Sequence, residues 1–198
     1  MGEAAIKAAK AVDYEGAGTV EFLLDSDGKF YFIEMNTRIQ VEHTITEMVT
    51  GIDLIKEQIK IAAGEKLKIT QDKVNFKGAA MECRINAEDH EYNFRPCPGK
   101  IEELIFPGGN NVRVDTHVYP SFVISPYYDS MIAKIIAYGK DRSDVINIMN
   151  RALNETVIRP LKTTIPVQLA VLNHTKFIRG KFSTSFLDTM LGPRKKKK

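Results

Sequence analysis

A polar segment at positions 34–43 reads Glu34-Met35-Asn36-Thr37-Arg38-Ile39-Gln40-Val41-Glu42-His43. At the two-residue period of an extended strand, one face carries the polar side chains Glu34, Asn36, Arg38, Gln40 and Glu42. Met35, Ile39 and Val41 point to the opposite side. A solvated edge strand can alternate in this way, but here the polar face alternates charged and amide groups and follows a hydrophobic run. We therefore expect one strand through these residues, with a functional polar face.

Two apolar, aromatic-rich runs at residues 18–24 and 29–35 indicate a β-hairpin. They flank Asp25-Ser26-Asp27-Gly28, and Asp-Gly is a strong signal for a tight hairpin turn. If Asp27-Gly28 is a two-residue turn, the expected opposed pairs are Leu23 with Phe32, Glu21 with Glu34, and Thr19 with Asn36. The hairpin then brings two carboxylates together.

Two opposed carboxylates destabilise a sheet unless a cation lies between them, because their Cβ atoms are roughly 5 Å apart. Mg2+ is the natural candidate, since it binds through one or two carboxylates and completes its octahedron with water and substrate phosphate. A register slip of two residues is the alternative, and it would leave Glu21 and Glu34 diagonal and merely solvated. The pairing alone does not choose between these two arrangements.

Composition and charge narrow the class of protein. The chain has 198 residues, 43% hydrophobic and 27% charged, which is typical of one large or two small globular domains. The formal charge is +3, but Arg194 and the lysines at 195–198 carry five positive charges and leave −2 for the remaining residues. A terminal lysine run is typical of a solvated end, so we expect no nucleic-acid partner.

Cysteine usage and hydropathy indicate the compartment. Cys83 and Cys97 are the two cysteines and lack CxxC spacing, so the sequence predicts neither a disulfide framework nor a zinc site and favours a reducing compartment. No apolar run approaches the ~20 residues that span a bilayer, and we find no signal peptide before the first predicted helix. We expect a cytoplasmic protein with no membrane partner.

Periodicity predicts an α+β fold of antiparallel strands and helices with a helical C-terminal end. Strands are expected over residues 78–86, 101–106, 112–118 and 131–138. Helices are expected over 3–13, from the capping box at 50–53 to a stop at Gly64, from a Ser143 cap through Leu153, over 164–172, and over 183–191.

Nucleotide-binding loops are not visible in the sequence. It contains neither GxGxxG after a strand nor GxxxxGK[ST], so either the protein does not bind a nucleotide alone or the part that holds it is missing. The four histidines do not cluster. Arg84 shares a strand face with Glu82 and Asn86, but a single arginine in a strand is more often structural than catalytic. The residues alone therefore leave its role open.

Several long motifs resemble those of biotin carboxylase, the ATP-grasp component of biotin-dependent carboxylases. The segment 34–43 is one, and it continues through Thr46-Glu47-Met48 and Thr50-Gly51. The others are Asp53-Leu54-Ile55-Lys56-Glu57-Gln58, Glu82-Cys83-Arg84-Ile85-Asn86-Ala87-Glu88-Asp89, Pro98-Gly99-Lys100-Ile101 and Tyr127-Tyr128-Asp129-Ser130-Met131. The resemblance covers essentially the whole chain.

The resemblance implies the C-terminal part of such an enzyme, without the N-terminal domain, the lid and most of the ATP-grasp sheet. Residues 1–75 would be the C-terminal part of the ATP-grasp domain, 76–191 the biotin carboxylase C-terminal domain, and 192–198 a basic disordered tail. We expect this segment alone to turn over little or nothing, because positioning and phosphate stabilisation supply most of the rate in phosphoryl transfer.

In that family, ATP activates bicarbonate to carboxyphosphate, which delivers CO2 to the N1′ nitrogen of biotin on a carrier protein. The resemblance implies a metal site for Mg2+ or Mn2+ formed by Glu21, Glu34 and Asn36. This agrees with the metal alternative for the hairpin.

The remaining implied roles concern bicarbonate and biotin. Glu42 would be the general base that deprotonates bicarbonate, and Arg38 would stabilise the biotin enolate. Gln40 and the Val41 backbone would hold bicarbonate, with Arg84 as a bidentate clamp suited to its planar guanidinium. Arg38 and Glu42 are thus the implied catalytic residues.

The resemblance also implies the partners. These are a biotin carboxyl carrier protein, carboxyltransferase subunits and, in the full-length enzyme, another copy of the same chain in a homodimer. The implied process is the first half-reaction of acetyl-CoA carboxylase in fatty acid synthesis, and the same module from pyruvate or propionyl-CoA carboxylase is an alternative. A non-catalytic docking module and another ATP-grasp ligase are two more. The sequence does not reveal the acyl substrate.

Overall fold

The computed structural model describes residues 1–192, which fall into two compact units. The first unit is Met1–Phe76, and the second begins at Lys77. Both contain helices and antiparallel strands, which confirms the predicted α+β class. Within residues 1–192 no helix has the length and apolar character to cross a bilayer. The predicted basic tail falls, from residue 193 onward, outside the described residues.

The first unit consists of three helices, one hairpin and a 3-10 turn at Gln71–Lys73. In chain order its elements are α1 (Gly2–Ala11), β1 (Thr19–Leu24), β2 (Phe30–Asn36), α2 (His43–Thr50) and α3 (Leu54–Ala62). Helix α3 begins where predicted, because the Asp53 side chain accepts a hydrogen bond from the Lys56 N–H and so caps the first turn.

The hairpin has the predicted partners at its base but a different turn. Gly28 N–H donates to the Asp25 carbonyl, and Gly28 has φ +78°, so the loop has three residues rather than two. Leu23 consequently lies opposite Tyr31, and the predicted pairing of Leu23 with Phe32 is wrong. A register shift between Glu21 and Phe22 then compensates for the extra loop residue.

The register shift restores the predicted pairs nearest the polar segment. Glu21 lies opposite Glu34, and Thr19 lies opposite Asn36. Ile33 is the extra residue of β2 at the shift, because Phe22 pairs with Phe32 and Glu21 with Glu34. The alternative register, with the two carboxylates diagonal, is therefore excluded.

The predicted strand through Glu42 is wrong, because β2 ends at Asn36. Residues 37–40 form an irregular loop, 41 and 42 a turn, and His43 begins helix α2. The helix is fixed by burial of Thr44 and Glu47 and ends at Gly51, which has φ +71°. The Glu47 carboxylate also accepts a hydrogen bond from the Leu54 N–H, so tertiary contacts override the strand-like alternation.

The described part of the second unit, up to residue 192, contains nine strands, four helices and a 3-10 turn at His90–Tyr92. The strands are β3 (Ala79–Asn86), β4 (Glu88–Asp89), β5 (Arg95–Pro96), β6 (Gly99–Lys100), β7 (Glu103–Ile105), β8 (Val112–Thr116), β9 (Val123–Ile124), β10 (Met131–Gly139) and β11 (Val157–Arg159). The helices are α4 (Arg142–Glu155), α5 (Ile165–Leu172), α6 (Thr175–Ile178) and α7 (Phe186–Leu191).

A three-stranded antiparallel sheet with the order β3-β10-β8 forms the centre of this unit. Helix α4 contributes its apolar stripe to the core and buries Val145, Ile146, Met149, Ala152 and Leu153. On the sheet side the core includes Ile85 and Ile135, both with no exposed surface. The shorter strands form three further antiparallel pairs, β4-β5, β6-β9 and β7-β11.

The start of α4 differs in detail from the prediction. Asp141, not Ser143, is the N-cap, and its carboxylate accepts a hydrogen bond from the Asp144 N–H. A carboxylate three residues before its N–H partner satisfies one of the unpaired donors of the first turn. Ser143 lies inside that turn instead.

Candidate active site

The centre of the candidate site is a cluster of two carboxylates and one amide on the hairpin. The Asn36 side-chain nitrogen donates to Glu21 Oε1 at 2.9 Å and to Glu34 Oε1 at 3.1 Å. Because Glu21 and Glu34 are directly opposed, one donor between them offsets part of their repulsion. The structure thus places the three predicted metal ligands together at the end of the hairpin.

The loop after β2 adds two more of the predicted residues to this cluster. Gln40 donates from its side-chain nitrogen to Glu21 Oε1 at 3.2 Å, and Arg38 donates to the Asn36 amide oxygen at 3.3 Å. Glu21 and Gln40 are half-buried, whereas Arg38 is exposed. Both loop side chains are therefore connected to the cluster although they do not lie on a continuous strand with it.

A cavity of about 530 Å3 lies beside this loop in the first unit. Arg38, Gln40 and Glu42 line it, together with Gly18 and His43. Its size is within the range of small-molecule sites in proteins. Glu42 and Val41 lie in the turn just before α2, so the turn, rather than strand alternation, brings Glu42 to the cavity.

Two supporting residues of the site were missed by sequence reasoning. Gly18 lies against the hairpin, because a Cβ atom there would stand 3.1 Å from the Asn36 carbonyl oxygen and 2.8 Å from Tyr14 Cε1. The His43 ring nitrogen Nδ1 lies 2.9 Å from the Gln40 carbonyl oxygen and orients the loop. Gly18 carries no local signal beyond its residue type, because its contacts are with Tyr14 and with Asn36 on the neighbouring strand. His43 ends the polar segment, but the alternation pattern does not reveal its contact with Gln40.

The remaining predicted residue, Arg84, belongs to the second unit. It lies on β3, opposite Lys134 of β10, and its side chain is 47% exposed. Its guanidinium Nε lies 3.6 Å from Glu82 Oε1, so an ion pair restrains the side chain. The chain therefore carries the predicted residues in two groups, one in each unit.

The donor set of the hairpin cluster fits a hard divalent cation such as Mg2+, which prefers carboxylate and amide oxygens. Within the described residues no three His, Cys, Asp or Glu side chains form a group that could hold a metal ion. A cation at Glu21 and Glu34 would thus take two carboxylates from this unit and leave positions open for water or substrate oxygens.

A hydrogen bond to Glu57 raises the pKa of Lys60 in the first unit, and further groups with shifted pKa values lie in the second unit. None of these groups is a predicted site residue. A hydrogen bond of 2.7 Å from Lys162 lowers the pKa of Asp89, and the same bond raises the pKa of Lys162. Burial, with a smaller contribution from Glu82, raises the pKa of the Cys83 thiol to about 12. Cys83 and Cys97 are both free thiols.

Two protein-family models match the chain, one within each unit. The model described as the biotin carboxylase C-terminal domain matches residues 82–189. A second model, described as the ATP-binding domain of the carbamoyl-phosphate synthase L chain, matches residues 1–70. The first match alone covers more than half of the chain.

Known proteins similar to this chain are biotin carboxylases and related enzymes. Biotin carboxylase 1 of Bacillus subtilis is 59% identical over 190 residues, which are 96% of this chain and 42% of the relative. A pyruvate carboxylase subunit of Methanothermobacter thermautotrophicus is 56% identical over 188 residues, 95% of this chain and 38% of the relative. The chain therefore spans less than half the length of these relatives.

Solved structures agree with the sequence relatives. The biotin carboxylase domain dimer of Hydrogenobacter thermophilus 2-oxoglutarate carboxylase, in complex with MgADP, ADP and bicarbonate, superposes with a TM-score of 0.93 at 44% identity. The match covers 98% of this chain and 44% of that one. The family model, the sequence relatives and the superposition lead to one conclusion: the chain belongs to the biotin carboxylase family.

Proposed function

We propose that this chain is the C-terminal part of a biotin carboxylase, which uses MgATP and bicarbonate to carboxylate biotin on a carrier protein. We assign residues 1–75 to the end of its ATP-grasp domain and residues 76–191 to its C-terminal domain. The observation that carries the proposal is the shared hydrogen-bond donor between Glu21 and Glu34, linked through Gln40 and Arg38 to a cavity that Glu42 also lines.

Glu21, Glu34 and Asn36 would hold Mg2+ or Mn2+ together with the phosphates of ATP. The bound cation would supply positive charge to the developing negative charge of the phosphoryl group. Binding would require the Asn36 amide to turn, because its nitrogen donates to both carboxylates and its oxygen, the atom that could bind the cation, accepts from Arg38. Bicarbonate, the second substrate, would bind in the adjacent cavity, which Gln40 lines.

Glu42 would act as the general base that accepts the bicarbonate proton, so that the resulting dianion can attack the terminal phosphate of ATP. Its exposed carboxylate lines the cavity and is not enclosed in the core. Gln40 and the Val41 main chain would hold bicarbonate in the cavity. Arg38, at the same cavity, would stabilise the biotin enolate by charge.

Arg84 would bind bicarbonate through two parallel N–H donors, a geometry that guanidinium groups favour for planar oxyanions. Half of its side chain is accessible, and Glu82 restrains it from one end. A guanidinium carries five N–H donors in a fixed fork, which allows it to contact a carboxylate and an anion together.

The segment alone is expected to have little or no activity, because the rest of the ATP site would lie outside it. The hairpin leaves a set of apolar side chains more than 40% exposed, namely Leu23, Leu24, Phe30, Tyr31, Phe32 and Ile33. Apolar residues that are exposed singly are common on protein surfaces, but six on one hairpin are not. These side chains are suited to contact with the remainder of an ATP-grasp sheet.

The downstream reaction is proposed to be that of acetyl-CoA carboxylase in fatty acid synthesis, with carrier and carboxyltransferase subunits as partners and a homodimer as the full-length assembly. The pyruvate carboxylase relative, at 56% identity, supports a keto-acid carboxylase as the second candidate. The two free cysteines favour a reducing compartment, so we propose a cytoplasmic location.

The proposal is tested with a chimera in which residues 1–192 are joined to the part of B. subtilis biotin carboxylase 1 outside the matching segment. We expect the chimera, and not the chain alone, to cleave ATP in a bicarbonate- and biotin-dependent manner. Glu42→Gln should abolish this dependence, whereas Glu65→Gln, a change at an exposed carboxylate of the same unit, should not. Unchanged cleavage in the Glu42 variant would refute the assigned base.

A further inference from the structure

Strand β3, which carries Arg84, is an edge strand of the central sheet, because the strand order is β3-β10-β8. One side of β3 pairs with β10, and the other side would leave main-chain N–H and C=O groups without a sheet partner. In an antiparallel strand these outward groups recur at every second residue. Arg84 and Asn86 are two such positions.

The N-terminal turn of α5 supplies the missing partners. Thr164 Oγ1 donates to the Arg84 carbonyl at 3.1 Å and accepts the Asn86 N–H at 3.1 Å. The Thr164 N–H donates to the Asn86 carbonyl at 3.0 Å. One threonine therefore bonds main-chain groups of the strand on both sides of Ile85.

Gln168, one helical turn further along α5, completes the arrangement. Its side-chain nitrogen donates to the same Arg84 carbonyl at 2.6 Å and contacts Thr164 Oγ1 at 3.4 Å. A carbonyl oxygen has two lone pairs, and here both are satisfied by α5. The helix thus holds the main chain of Arg84 itself, not only that of its neighbours.

The threonine hydroxyl is available for this contact because it does not cap its own helix. Thr164 is the N-cap of α5, yet its side chain makes no capping hydrogen bond. Pro166 at the second helical position has no N–H to be capped. A residue type that usually caps a helix therefore bonds a neighbouring strand instead.

We propose that Thr164 and Gln168 are positioning residues for Arg84. They hold the main chain from which the Arg84 side chain projects, and Glu82 restrains that side chain. Together these contacts would keep the guanidinium in position to bind the substrate anion through two parallel N–H donors. The inference rests on the proposed bicarbonate role of Arg84 and adds the residues that hold it in place. A loss of either contact would leave Arg84 present but less well placed.

The test measures both the geometry and its effect. In the chain itself, Thr164→Val should accelerate hydrogen exchange of the Asn86 amide. In the chimera, Thr164→Val and Gln168→Glu should each raise the KM for bicarbonate by about five- to tenfold, with a much smaller change in the KM for ATP. Thr164→Ser keeps the hydroxyl and should restore the parent KM.

Thr116→Val is the matched control, because Thr116 Oγ1 also donates to a main-chain carbonyl and accepts a main-chain N–H, but on β8 at the far edge of the sheet. It should lower the melting temperature without raising the KM for bicarbonate. Arg84→Met distinguishes a failure of the proposed bicarbonate role of Arg84 from a failure of the positioning role of Thr164 and Gln168. If it leaves that KM unchanged, the proposed role of Arg84 fails; if it raises that KM and neither α5 variant does, the positioning inference is overturned.

Discussion

The carboxylates of Glu21 and Glu34 face each other across β1 and β2 and accept hydrogen bonds from one and the same nitrogen, that of the Asn36 amide. Two negative charges in this relation are unfavourable in a simple surface hairpin. Glu21 also accepts a hydrogen bond from Gln40, which lines the cavity. The opposed carboxylates are understandable if a cation and a substrate use them.

Glu34→Gln should separate the metal role from a structural one. We expect the unfolding free energy of the metal-free chain to change by no more than about 1 kcal/mol, because one cross-strand repulsion and one hydrogen bond are lost together. In the parent chain, Mn2+ at ten times its Kd should add about 1.4 kcal/mol of stability, and the variant should lose this gain.

Thermal unfolding with and without Mn2+ measures this difference, and Glu65→Gln serves as the control because it removes an exposed carboxylate elsewhere in the same unit. Equal stabilisation of all three proteins by Mn2+ would show that the cation binds somewhere other than the hairpin cluster.

Gly18→Ala should disturb the cluster of Glu21, Glu34 and Asn36, because Gly18 lies against the main chain of Asn36. The new Cβ would stand 2.8 Å from Tyr14 Cε1, and the Tyr14 ring cannot easily retreat because its hydroxyl donates to the Ala17 carbonyl at 2.7 Å. We expect the unfolding free energy to fall by about 1–3 kcal/mol, a typical cost of overpacking. Urea titration followed by circular dichroism measures it. Gly108→Ala, where a Cβ meets nothing within 4 Å, should have little effect, and an equal loss in both variants would contradict the close approach.

The sequence predicted the opposed carboxylates correctly but for an incomplete reason. The three-residue loop at Gly28 shifts the register by one, and the extra residue Ile33 shifts it back, so the two deviations cancel at Glu21 and Glu34. Four consecutive large apolar residues, Phe30 to Ile33, tolerate either register on both faces. The alternation of polar and apolar residues could not reveal the register shift, because this run contains no charged or strongly polar residue that would show which face of the strand is exposed.

Helix α2 was missed although a signal existed. Ile45, Met48 and Val49 recur at helical spacing, and Gly51 supplies the left-handed residue that ends the helix. The alternation from Glu34 to Glu42 concealed this pattern, because loop residues with polar side chains can imitate the period of a strand. The prediction that these polar side chains share one strand face is therefore wrong.

Lys162→Met should lower the stability of the second unit by an amount that depends on pH. Because the Lys162 hydrogen bond holds the pKa of Asp89 below its ordinary value, the pair stabilises the second unit above that value and loses its effect as the pH falls through the lowered pKa. The variant should unfold at lower urea than the parent at neutral pH, and the difference should shrink in acid. Lys140→Met, at an exposed lysine, is the control. A difference independent of pH would contradict the role of the ion pair.

The two cysteines should differ in reactivity. Burial raises the pKa of the Cys83 thiol to about 12, so it carries almost no thiolate near neutral pH, and the side chain is enclosed in the core. Cys97 is only partly buried. Titration with a chromogenic disulfide reagent should therefore detect one thiol in the native chain and two in denaturant, and rapid reaction of both in the native chain would refute this assignment.

The most direct measurement of the central claim is carboxylation of free biotin by the chimera with labelled bicarbonate and MgATP. We predict that labelled carboxybiotin forms, that Glu42→Gln and Glu34→Gln each abolish it, and that Glu65→Gln does not. Formation of labelled product at the parent rate in the Glu42 and Glu34 variants would contradict the account, because the reaction would then not use the site that this chain contributes.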